Sequence, residues 1–222
     1  MKDMLETILG ELNTVFLSEA DFQFTLAWKI QEELKAKGKG KVILEYPEEP
    51  DGKRVYYDIW VDDEAGETHL IELKYRTKEA NVERYGETFT LKNQSAQDMG
   101  RYHFMADIQR LEKQNSATGK CYCIILTNDK AYWIKPTEEN RSRSSQDAAF
   151  RIHQDRVING KFEKFEWKDK KSYRENDVNA PIEIQNEYTC DWKNYPCGAS
   201  SAEDTKNCEF KYLLLEIPPS KK

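Results

Sequence analysis

Asp58, Glu72 and Lys74 lie inside two runs of β-branched, aromatic and aliphatic residues, RVYYDIWV (54–61) and THLIELKY (68–75). Asp is a poor strand residue and Glu only slightly better, and such conflicts with local preference tend to mark function or strain. The polar link DDEAGE between the runs reads as a hairpin loop. With that loop centred on Ala65, Asp58 falls opposite Glu72. Period-two alternation then puts Glu72 and Lys74 on one face of their strand and Ile71, Leu73 and Tyr75 on the other. Two carboxylates and an ammonium thus share one patch. Like charges opposed across a sheet are destabilising, so the pair requires an offset. Lys74 supplies one as an ion-pair partner. A hard divalent cation, Mg²⁺ or Mn²⁺, supplies another, because carboxylate and carbonyl oxygens suit such ions.

The elements around the hairpin position a third acid. Residues 2–17 repeat apolar positions with a helical period, at Leu5, Ile8, Leu9, Leu12, Val15 and Phe16. Ser18, with Asp21 three residues on, reads as the N-cap of a second helix. That helix carries Phe22, Leu26, Ile30 and Leu34 on one stripe and ends near KGKG. Glu19 sits at the end of the core-facing stripe, with Gln23 one turn further along, in reach of the sheet. KVILEY (41–46) is a first strand before the hairpin pair. Residues 94–114 have helical spacing despite Gly100, and KCYCIILTN reads as a buried central strand. The order helix, three strands, helix, strand describes an α/β core over about residues 1–135. From 136 to 222 the chain changes to a polar Ser/Arg-rich stretch followed by short apolar pieces, FRIHQDRVI, FEKFEW, PIEIQNEYTCDW and FKYLLLEI. These are expected as added strands packed on the core more than as a separate domain.

At Asp58, then thirteen residues, then Glu72-Leu73-Lys74 on the following strand, the sequence resembles the PD-(D/E)xK, or restriction endonuclease-like, nuclease superfamily. The resemblance spans about the first 135 residues, and Tyr57 stands where the motif's proline would be. It implies a restriction endonuclease-like αβββαβ core with a mixed sheet, here with a β-rich C-terminal elaboration. Asp58 and Glu72 would bind the metal with the Leu73 carbonyl. Glu19 would contribute directly or through a water, and Lys74 would orient or help activate the attacking water. The implied activity is metal-dependent hydrolysis of DNA, in bacterial defence or repair, with Mg²⁺ or Mn²⁺ as cofactor. Cleavage of a duplex by one site per chain would favour a homodimer. The alternative is an inactive nuclease-fold protein that binds nucleic acid or a protein partner, and a third reading makes the cluster a structural ion network. Gln23, Arg76, Lys78, Gln94, Gln97 and Arg101 are the candidate nucleic-acid contacts, against their reading as ordinary surface polarity.

Composition bounds these readings. The chain has 222 residues, 33% charged and 38% hydrophobic, with a formal net charge of −6. It is long enough for a sizeable core and too acidic to coat DNA over its whole surface, so any phosphate contact needs a local cluster of Lys and Arg. Arg141, Arg143, Arg151 and Arg156 make the region after 140 locally basic, although a solvated loop is the plainer reading. The five cysteines show no CxxC pair and read as free or buried thiols of a reducing cytosol. The first residues read as an amphipathic helix rather than a secretory leader, and no apolar run spans a bilayer, so a cytoplasmic location is expected. His69, His103 and His153 lack ligand spacing, with His69 expected on a strand surface. Asp107 and Arg110 are expected to pair along their helix.

Overall fold

The computed structural model describes residues 1–49, 52, 54–114, 116–137, 148–163, 180–197 and 207–219. Helix α1 (Lys2–Glu11) turns Leu5, Ile8 and Leu9 inward. The apolar period runs on to residue 16, but the helix stops at Glu11 and Asn13 takes a left-handed φ of 39°. Val15 and Phe16 are buried from non-helical backbone instead. Helix α2 (Glu19–Ala36) begins at the expected cap, with Asp21 N–H donating to Ser18 Oγ at 3.1 Å. Asp21 reaches back to the N–H of Leu17, not to that of the cap itself. Loss of such a cap costs about 1 kcal/mol.

Three strands follow: β1 (Lys41–Glu48), β2 (Val55–Asp62) and β3 (Thr68–Arg76). The hairpin β4 (Ala80–Arg84) and β5 (Glu87–Leu91) comes next, then α3 (Gln97–Lys113) and β6 (Cys121–Thr127). The last elements are β7 (Val157–Phe162), β8 (Ile182–Thr189), β9 (Lys193–Tyr195) and β10 (Phe210–Ile217). The β4–β5 hairpin was not expected. Its two-residue turn is Tyr85–Gly86, both at positive φ, and a tyrosine in that position hides the Asn-Gly or Asp-Gly signature that such turns usually carry.

The chain is an α/β protein with a mixed six-stranded sheet of order β1-β2-β3-β6-β10-β9. Neighbours are antiparallel except β3 and β6, which are parallel, with α3 as the connection. Every residue of β6 is buried. Its Tyr122, Ile124 and Leu126 join the cluster under α1 and α2, and its Cys121, Cys123 and Ile125 join the cluster under α3. Both faces of the centre are therefore dry, which is why β6 reads as a continuous apolar run. All five cysteines are free and buried.

The C-terminal strands divide between two roles. Strand β10 is a member of the main sheet, paired with β6 from Lys211–Thr127 to Ile217–Cys121. Strands β7 and β8 form a separate pair, and Ile158, Phe162, Ile182, Ile184 and Tyr188 pack into the α3-side cluster. Of FEKFEW only residues 162 and 163 are described, and Arg141 and Arg143 lie outside the described residues. Arg156 donates to the Ala148 and Ala149 carbonyls at 3.0 and 2.6 Å, which gives it a local structural role. Among the described residues no helix is long and apolar enough to cross a membrane.

Candidate active site

The β2–β3 ladder pairs Ile59 with Ile71, Trp60 with Leu70 and Val61 with His69, the register that sets Asp58 opposite Glu72. Backbone pairing ends at Ile59 and Ile71. Beyond that point Asp58 Oδ2 accepts the Leu73 N–H at 2.6 Å, so a side chain stands where a ladder carbonyl would. Alternation also breaks here. Ile59 and Val61 face α1 and α2, whereas Tyr57 joins the α3-side cluster, and Glu45 on the neighbouring strand has a φ of 51°. The second freed donor of β3, Tyr75 N–H, goes to Glu19 Oε2 at 2.7 Å, from the first turn of α2. Asp58 and Glu19 therefore sit side by side along the opened edge of β3.

Glu72 and Lys74 point toward α3, where they meet the Asp107 and Arg110 side chains. Lys74 Nζ lies 2.8 Å from Asp107 Oδ2, and Arg110 Nη2 lies 2.6 Å from Glu72 Oε1 and 2.9 Å from Asp107 Oδ1. Glu72 is 1% exposed, yet neither its Oε1 nor Asp107 Oδ2 has an aligned hydrogen bond. The Lys74–Asp107 and Arg110–Glu72 distances are charge contacts with poor directionality, whereas Arg110 Nη2 donates a hydrogen bond to Asp107 Oδ1. Four carboxylates (Glu19, Asp58, Glu72, Asp107) thus lie around Lys74 and Arg110, with Arg76 next along the same face of β3, but no three of these acids bring their oxygens within 4.8 Å of one another.

Electrostatics follow from that crowding. Burial raises the Asp58 carboxyl above its ordinary value against the pull of Lys74 and the Leu73 N–H, with Glu19 and Asp107 adding to the rise. Burial and the Asp107 charge push Glu72 well up, with Arg110 opposing. Burial alone would depress Lys74; the charges of Asp107, Glu19 and Asp58 outweigh it and hold the ammonium protonated. His103, one turn before Asp107 on α3, is pushed down by burial, against the pull of Asp107.

The remaining candidates separate. Gln23 bridges Glu45 Oε1 and the Asp58 carbonyl, both at 2.7 Å, and so props the site from α2. The Leu73 carbonyl accepts Lys74 Nζ at 2.9 Å. Gln94 and Gln97 make internal bonds, to Thr77 N–H and to Asp129. Arg101 is buried, donates to the Ala131 carbonyl and lies against the Tyr132 ring. Arg76 packs beneath Gly100, where a side chain would collide with the Tyr132 hydroxyl. Among the described residues Arg76 makes no ion pair and its Nε is buried without a hydrogen-bond partner, whereas Lys78, with its side chain 35% exposed, lies 4.0 Å from Asp129 and is the candidate at the rim.

Sequence reasoning missed the α3 contribution. Asp107 and Arg110 do pair along the helix, but each also reaches across to β3. The spacing of His103, Asp107 and Arg110, about one and two turns apart, was the available signal for a polar stripe facing the sheet. His69 was misplaced as well. It is buried, not on a strand surface, with its ring packed on Gly119 and Nε2 facing Asp63. Among the described residues, the group of three potential ligands whose atoms lie within 4.8 Å of one another is Asp63, Glu67 and His69, which could hold a metal ion. That group lies at the hairpin end of β3, away from Glu72 and Lys74. No protein-family model, curated protein or solved structure matches the chain.

Proposed function

We propose that the charge cluster between β2, β3 and α3 is the active site of a metal-dependent phosphodiesterase that hydrolyses DNA, on a restriction endonuclease-like core. The observation that carries this reading is the crowding of acids: four carboxylates around Lys74 and Arg110, with the Asp58 and Glu72 carboxyls raised by burial and by their acidic neighbours. Such a site gains stability from protons or from a divalent cation, and hard oxygen donors suit Mg²⁺ or Mn²⁺. Asp58, Glu72, Glu19 and the Leu73 carbonyl are the residues that would hold the ion. When bound it would supply charge neutralisation for phosphate and an acidified water.

The chain's own residues divide the remaining work. Lys74, kept protonated by Asp107, offers a fixed positive charge beside the attacked phosphate and stabilises charge as it develops there. Arg110 balances Glu72 and holds Asp107 against Lys74. Gln23 ties α2 to β1 and β2 through Glu45 and the Asp58 carbonyl. Lys78 would contact the phosphate backbone at the rim, and a duplex would be cut on both strands by two copies.

A second reading has its own support. Arg110 already neutralises Glu72, Lys74 occupies the Leu73 carbonyl, and the cluster is closed by contacts within the protein. A nuclease-fold protein that binds nucleic acid or a protein partner without cutting fits that arrangement. The deciding experiment is cleavage of single-stranded, duplex and branched DNA, and of RNA, in Mn²⁺ or Mg²⁺. Wild type is expected to cut DNA, Glu72→Ala to lose both metal binding and cutting, and Lys74→Ala to lose cutting while still binding metal. Intact substrates throughout the panel sink the enzymatic reading, and binding that survives Glu72→Ala favours the second.

A further inference from the structure

We propose that Asp63, Glu67 and His69 form a transition-metal site of the zinc class that closes the β2–β3 hairpin, beside the contact by which His69 meets the segment entering β6. The site is independent of the charge cluster at Glu72.

The tautomer of His69 points to a cation. Its Nδ1 lies 2.9 Å from the Lys120 carbonyl, a group that only accepts, so Nδ1 carries a proton. In the neutral ring Nε2 then presents a lone pair, and 3.2 Å away stands Asp63 Oδ2, which also only accepts. Two lone pairs face each other with the histidine side chain 5% exposed, an arrangement that requires a proton or a metal between them. A charge-assisted imidazolium–carboxylate bond is commonly about 2.7–2.9 Å. Two ligand atoms each about 2.1 Å from zinc, at an angle between octahedral and tetrahedral, stand about 3.0–3.4 Å apart. The observed 3.2 Å suits a hydrogen-bonded imidazolium as well as two ligands of one metal, and it is the third acid, Glu67, with its oxygen within 4.8 Å of both, that points to the metal.

The surroundings act as the outer support of such a site. A metal-binding histidine typically donates its other N–H to a carbonyl or carboxylate, which fixes its tautomer, and Lys120 O is that acceptor. Gly119 leaves room for the ring to lie flat against the backbone, where any Cβ would collide with it. Asp63 Oδ1 is held by the N–H groups of Ala65 and Glu67, both at 2.9 Å, which leaves Oδ2 as its free ligand atom. Glu67 supplies a third ligand from the exposed side, and water would complete the coordination. One imidazole with two carboxylates favours zinc and its neighbours over Mg²⁺, which prefers oxygen ligands alone.

The test is calorimetric titration of the metal-stripped 222-residue chain with ZnCl₂ and, separately, MgCl₂, with thermal melts alongside. Wild type is expected to bind one equivalent of Zn²⁺ with a rise in Tm, and Glu72→Gln to bind it equally well. Glu67→Gln, which changes an exposed side chain, is expected to weaken Zn²⁺ binding by roughly tenfold or more without lowering the Tm of the metal-free protein. His69→Gln is expected to abolish it. The proposal is overturned if wild type shows neither heat nor a Tm rise at millimolar Zn²⁺, or if Glu67→Gln binds as wild type does. It is equally overturned if Glu72→Gln, rather than Glu67→Gln, removes the zinc response.

Discussion

Glu72 and Glu112 are both buried carboxylates in contact with α3, 1% and 7% exposed, yet their partners differ in kind. Glu112 accepts from four neutral donors, the backbone N–H groups of Gln185 and Asn186, the Asn186 amide and the Tyr188 hydroxyl, at 2.7–2.9 Å. Every one of these is a directed bond that ties β8 onto the helix. Glu72 has instead one charge contact of poor alignment, with Asp107 and Asp58 as acidic neighbours. A carboxylate saturated by neutral dipoles is a rivet, because removing it strands its donors. A carboxylate left short of donors and crowded by like charge holds unspent affinity for a cation, and such under-satisfied groups concentrate where proteins bind or react.

The sharpest way to break this contrast is to truncate both acids. Glu112→Ala should lower stability by on the order of 3 kcal/mol, since several donors lose their acceptor at once, measurable as a shifted denaturant midpoint. Glu72→Gln should leave stability within about 1 kcal/mol of wild type or raise it, because Arg110 keeps Asp107 as a partner and one excess negative charge disappears. Its catalytic loss should be at least about 10²-fold. Equal destabilisation by the two substitutions, with metal binding intact in Glu72→Gln, would place Glu72 among the rivets.

A smaller effect separates Asp58 and Glu72 from Asp63 by pH. A carboxyl whose folded pKa exceeds its unfolded value binds its proton more tightly in the native state. Asp58 and Glu72, both raised, therefore subtract stability as pH climbs from the unfolded carboxylate range, about 4, through their raised values. Asp63, held low, acts in the opposite sense, and its contribution disappears as pH falls through its folded value. Denaturant melts from about pH 5 to pH 8 should show wild type losing more stability than the Asp58→Asn/Glu72→Gln double variant. Near pH 8, MgCl₂ at 100 times its Kd should return about 2.7 kcal/mol to wild type and nothing to the variant. Parallel curves for the two proteins would contradict the placement of excess charge in the cluster.

What the sequence disclosed tracks how local each signal is. The facing of Asp58 and Glu72 was legible because a hairpin fixes register over a few residues, and the Ser18 cap and the β6 run are equally local. The β4–β5 turn was hidden by Tyr85 in a conformation that tyrosine seldom adopts. The reach of Asp107 and Arg110 to β3 depends on how α3 lies across the sheet, which no spacing along the helix specifies by itself. The burial of His69 depends on Gly119, some fifty residues away in the chain, offering it a flat surface. Strand β10 reads as an added piece because its partner, β6, is equally remote.

The smallest effects concern the charges near the start of α3, where Lys78 and Arg101 looked alike as candidate phosphate contacts. Arg101 is buried against Tyr132 and the Ala131 carbonyl, so Arg101→Gln should act on stability and should weaken nucleic-acid binding only in proportion to unfolding. Lys78 is half-buried, and its ammonium sits at the outer limit of an ion pair with Asp129. Lys78→Gln should therefore shift stability by no more than about 0.5 kcal/mol. If Lys78 meets a phosphate, its loss removes one released counterion, and the slope of log affinity against log salt should fall by about 1 with little change between sequences. Binding titrations of a catalytically silenced Glu72→Gln protein over a salt series measure that slope directly. An unchanged slope would assign Lys78 to the surface and leave the site without its outer phosphate contact, which would favour the non-cutting reading of the same charge cluster.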